Sequence, residues 1–170
     1  MTRLKHWLWL ASLLIVMSVM TGCSARQATV TGLPPGISQS QVKAWDAAVS
    51  NIHSIAIANT NLRQAVMSVH QTMDANGKPL LDGSYYTDIL TAIGKIDQVE
   101  NAAAGYLQAT PKNWSPDMKV QIANYMNQIS LAINQLIVDN ATGISNPASQ
   151  KQVTTLVNEM TSIVKIVLAI

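Results

Sequence analysis

The sequence predicts an all-α fold: an antiparallel, up-down-up-down four-helix bundle over residues 38–170. Apolar residues recur at alternating steps of three and four in four separate stretches, the period of an amphipathic helix. Each stretch opens at a Ser or Asn able to cap a helix, and the links between them are short, polar and rich in Pro, Gly and Asn. Short links make consecutive helices run in opposite directions. No stretch carries the sustained two-residue alternation of a strand.

The first helix starts at Ser38, which stands three residues before Gln41 in the capping-box arrangement. Val42, Trp45, Val49 and Ile52 share one face, which Ile55, Asn59, Leu62, Val66, Val69 and Met73 continue. The short step from Ile52 to Ile55 and the weak helix formers Asn59-Thr60-Asn61 predict a kink or break near Asn59. On an otherwise apolar seam, Asn59 reads as a polar residue that fixes register. The turn-rich DANGKPLLDG, Asp74 to Gly83, leads to Ser84 as cap of a second helix, with Ile89, Ile93, Ile96, Ala103 and Leu107 on its inner face. Thr110-Pro111 ends it.

Ser115, Pro116 and Asp117 then supply a cap, a proline at the first helical position and a negative charge at the positive helix end. Met118, Ile122, Tyr125, Ile129, Ala132 and Leu136 follow, before DNATGISNP stops the third helix. Asn146-Pro147 repeats the cap-then-proline signal, and Val153, Leu156, Met160, Ile163, Val167 and Ile170 form the seam of the fourth. With no Phe in the chain, Ile, Leu, Val, Met and Ala fill the core, wedged by a few Trp and Tyr.

Before the bundle, Arg3, Lys5 and His6 precede an apolar run from Trp7 to Met20. As a helix that run reaches roughly 21 Å, short of the ~30 Å hydrocarbon layer, so residues 1–22 read as a signal peptide and not as a permanent span. Thr21 and Gly22 lead into Cys23, the only cysteine. This resembles the lipobox of bacterial lipoproteins, with Met20 where that family usually has Leu. The resemblance implies a diacylglycerol on the Cys23 sulfur, cleavage just before it, and acylation of the freed amine with a chain such as palmitate. Ser24, in place of the Asp that tends to hold such proteins at the inner membrane, resembles the outer-membrane class; it implies a place on that membrane facing the periplasm, where the organism has one. Two or three acyl chains anchor a protein firmly. Residues 23–37, with Pro34, Pro35 and Gly36, read as the acylated cysteine and a flexible tether averaging roughly 20 Å in span.

Without Arg3 and Lys5, the eleven basic residues become nine, against nine acidic ones. The remaining Lys and Arg are scattered singly, which argues against a nucleic-acid partner and against a polybasic membrane patch. His53 and His70, seventeen residues apart, fall on different sides of one helix. His70 and Asp74 stand one turn apart as a candidate ligand pair, yet zinc needs three or four donors, so no metal and no cofactor is expected. No Glu precedes a His by three, which excludes the di-iron pattern. Asp97 and Glu100 read as a carboxylate pair on a solvated face beside Lys95 and Gln98. The chain has no G-x-S-x-G and no Gly-rich phosphate loop.

Trp45 reads as a core wedge. Trp114, in the link before the third helix, either packs on Met118 or contacts a partner. The closing SIVKIVLAI is apolar around nearly the whole helix, so Val167, Leu168 and Ile170 are either buried by the other helices or docked to a partner. The function these residues predict is a non-enzymatic one: an anchored structural or protein-interaction module at an envelope membrane, with an envelope protein as partner. The alternatives are a bundle that holds a small apolar ligand between its helices, and a metal-dependent enzyme using His70 and Asp74.

Overall fold

A computed structural model describes residues 35–170, except for the side chains at 140–142. The basic start, the apolar run, Cys23 and most of the 23–37 segment lie outside the described residues. Four helices make up the described chain: α1 (Gln39–Gln71), α2 (Gly83–Ala109), α3 (Pro116–Gly143) and α4 (Pro147–Ala169). Each packs on two others, α1 and α3 both lying against α2 and α4, while the backbones of the diagonal pairs do not meet. The chain is therefore a four-helix bundle closed around one core. Contacts pair α1 and α2 in opposite order, from His70–Tyr86 at one end to Trp45–Lys112 at the other. Tyr106–Tyr125 and Leu81–Ile144 do the same for α2 and α3.

Three of the four helix starts are those the sequence predicts. Ser38 accepts from the Gln41 N–H at 3.2 Å while the Gln41 side chain accepts from the Ser38 N–H at 2.8 Å, a complete capping box. Ser115 Oγ accepts from the Met118 N–H, and the Asn146 side chain accepts from the N–H groups of Ala148 and Ser149. At α2 the cap is Asp82 and not Ser84: Asp82 Oδ1 accepts from both the backbone N–H and the hydroxyl of Ser84. An acceptor with two donors ahead of it outcompetes a hydroxyl that is already engaged as one of them, and these bonds hold the Asp82 carboxyl below its usual range.

The helical hydrogen bonding of α1 continues through Asn59-Thr60-Asn61 without the expected break. Weak propensity is overridden because the Asn59 amide bonds to α2 instead of turning on its own backbone. The end of α1 differs as well: Thr72 closes the helix, and Met73 is exposed and pairs with Pro79 in a small hairpin turned at Asp74–Lys78, where Gly77 takes a φ of +76°.

The core contains Ile52, Ile55, Leu62, Ile89, Ile93, Ile96, Leu107, Ile122, Met126 and Ile129, all at most 2 % exposed. On α4 the buried line is Val153, Val157, Met160, Val164 and Val167, while the expected Leu156, Ile163 and Ile170 flank it half-buried. A helix seated between two neighbours buries a wider stripe than a two-helix seam requires. Gly143, at the end of α3, faces Tyr85 so closely that a Cβ there would lie 2.6 Å from Tyr85 Cβ.

Replacing a helical Gly by Ala ordinarily stabilises by about 1 kcal/mol. Gly105→Ala, with nothing within 4 Å of the added carbon, is expected to do so. Gly143→Ala is expected to destabilise by about 1–3 kcal/mol through overpacking, and urea unfolding of both variants checks the opposite signs.

Candidate functional site

One polar cluster crosses the apolar α1–α2 interface. Asn59, fully buried, donates through Nδ2 to the Ile93 carbonyl at 3.1 Å and to Asp97 Oδ1 at 2.6 Å. The second Asp97 oxygen accepts from the Arg63 guanidinium, one turn along α1. Sequence spacing dictates the arrangement: Asn59 and Arg63 are four apart on α1, and Ile93 and Asp97 four apart on α2, so each pair shares a face. The register role expected of Asn59 is visible in these bonds.

Glu100 completes the cluster and departs from expectation. It is 9 % exposed, whereas the Asp97 side chain is 40 % exposed, so the two do not share a solvated face. Burial, and secondarily the Asp97 charge, raises the Glu100 carboxyl from its ordinary 4.5 to about 7. The signal was present in the spacing: Ile96, Glu100, Ala103 and Leu107 step by four, three and four, so position 100 belongs to the inner seam whatever residue occupies it. A buried acid titrating near neutrality has the property of a general acid or base. It needs an opening to a substrate, and Glu100 does not line the groove between α2 and α3.

His70 and Asp74 are not brought together as ligands. His70 donates from Nδ1 to the Leu81 carbonyl at 3.0 Å and stacks on Tyr86 with ring centroids 3.9 Å apart. Asp74 Oδ1 instead accepts from the N–H groups of Asn76 and Lys78, which lower its carboxyl below the usual range and shape the hairpin. Among the described residues, no three His, Cys, Asp or Glu side chains group as a metal site. His53 is exposed on the outer side of α1.

At the other end of α1, Lys112 Nζ lies 4.8 Å over the Trp45 ring and 3.5 Å from Asp46 Oδ1. Trp45 is a buried wedge, as its spacing predicts. Trp114 packs half-buried against the core with its Nε1 shielded from solvent. Of the three closing residues, Val167 is buried at 3 % exposure and Ile170 packs against the core. That places Val167 among the helices and off the outer surface, since its position on α4 continues the Val153–Val164 line. Leu168 is exposed, beside the more exposed Ile166.

Comparison of the chain with protein-family models, with curated proteins and with solved structures gave no match.

The raised Glu100 carboxyl makes stability depend on pH. Folded, it keeps its proton up to about 7; unfolded, it releases it near 4.5. Between those values the folded state holds more protons, so this contribution is full below pH 4.5 and is lost as pH rises through 7. The loss is on the order of 3 kcal/mol. Glu100→Gln is expected to raise the urea midpoint at pH 8 and leave it nearly unchanged at pH 4; an equal change at both would contradict the assignment.

Proposed function

We propose that this chain is a lipid-anchored envelope lipoprotein whose helical bundle acts through protein contacts and not through catalysis. The observation that carries the reading is Cys23, the single cysteine, set behind a basic start, an apolar run too short to span and the small pair Thr21-Gly22. An odd cysteine in an exported chain needs a use, and acylation supplies one. Among the described residues no helix is long and apolar enough to cross a membrane, so attachment through that part of the chain has no spanning candidate. The polar groups of the bundle are used to build it: Asn59, Asp97 and Arg63 bond across α1 and α2, and His70 and Asp74 shape the turn between them. Ser24 supports sorting to an outer membrane, facing the periplasm. An envelope protein is the partner this placement offers.

Labelling of expressing cells with radioactive palmitate tests the anchor. The wild-type chain is expected to carry label and to sediment with membranes, and Cys23→Ala to lose both; equal labelling of the two chains overturns the proposal.

A further inference from the structure

An open groove of about 580 Å³ runs along the outer side of α2 and α3. Small or buried apolar side chains line it, Ala92 and Val99 from α2 and Ala132 from α3. Leu131, near the middle of the α3 side, is 70 % exposed, more than any other large apolar side chain among the described residues. Asp88 and Lys95 also line the groove, both exposed, and neither has an ion-pair partner among the described residues. They stand seven residues apart, two turns, so they share one face of α2 but lie roughly 10 Å apart and cannot pair with each other.

Opposite charges at equal distances on either side of a point are self-complementary under two-fold rotation. The point here falls between Thr91 and Ala92. We propose that this groove is a self-association face on which a second copy of the chain packs with its α2 antiparallel to the first. Asp88 then meets Lys95 of the partner subunit, and the same pair forms again across the axis. Ala92, a small residue beside the axis, leaves room for the partner's α2 to approach. An unrelated helix would need its own matching charges, whereas this face already carries both halves of the match. The proposal is independent of the lipid anchor.

The test uses the full chain in whole expressing cells, oxidised with copper phenanthroline and resolved on non-reducing gels. Thr91→Cys places a thiol beside the axis and is expected to give a disulfide-linked dimer, absent from the otherwise unaltered chain with Cys23 alone and from Thr155→Cys on the exposed side of α4. In the Thr91→Cys chain, D88K is expected to cut the dimer roughly fivefold, the scale of two exposed pairs made repulsive. Adding K95D to D88K restores opposite charges across the axis, and the dimer with them. Restoration by the second reversal shows that the first acted through charge and not through unfolding. The proposal is overturned if Thr91→Cys yields no more dimer than Thr155→Cys, if D88K has no effect, if K95D does not restore, or if the thiol links to a different protein.

Discussion

An interface built from Ile, Val, Leu and Ala has no strong reason to settle at one height. Sliding α1 past α2 by a turn exchanges one branched aliphatic for another at little cost in buried area, since apolar burial is non-directional. The Asn59 amide removes that freedom. Its bonds to the Ile93 carbonyl and to Asp97 exist at one register, and at any other register a fully buried amide is left without partners, at a cost of about 1–3 kcal/mol. Arg63 adds a second directional bond one turn away. With α2 set against α1, the remaining helices inherit their heights through the links that join them.

Most of the architecture was legible because helix starts and inner faces are local properties. Ser38-Gln41, Ser115-Pro116 and Asn146-Pro147 declare their helices within four residues, and the apolar periods of α1, α2 and α3 mark most of their inner faces, although on α3 the period through Tyr125 passes over the buried Met126 and Ile133. The errors came where a choice depended on a neighbour. Asp82 displaced Ser84 as cap because the Ser84 hydroxyl is itself a donor to Asp82. The continuity of α1 through Asn59 is secured by α2, which a reading along one helix does not see. Lys95 and Gln98 beside Glu100 point it to solvent, whereas its three-four step from Ile96 to Ala103 puts it inside, and position outweighs residue identity. On α4, a helix pressed from two sides buried Val157 and Val164 beyond the seam read from one.

These features give the molecule two kinds of surface. The inner one is aliphatic, with Asn59, Glu100 and Asp139 as its buried polar side chains among the described residues. The outer one is sparsely charged and amide-rich, with large apolar side chains such as Ile57, Val120, Leu131 and Val138 left outside. A surface of that kind offers little long-range electrostatic steering.

The two links at one end of the bundle are stitched to one another. Leu81 bridges to Ile144, and Ser145 donates to the Leu80 carbonyl through both its N–H and its hydroxyl. His70 reaches the carbonyl of Leu81 itself, so the end of α1, the α1–α2 link and the α3–α4 link share one set of bonds. Tips of helical hairpins are ordinarily the first places to fray and the first nicked by proteases. Here neither tip can open without releasing the other, so this end melts as one cooperative unit. Its closure joins residues sixty-five positions apart and must await the docking of both hairpins, a late and entropically costly event in folding.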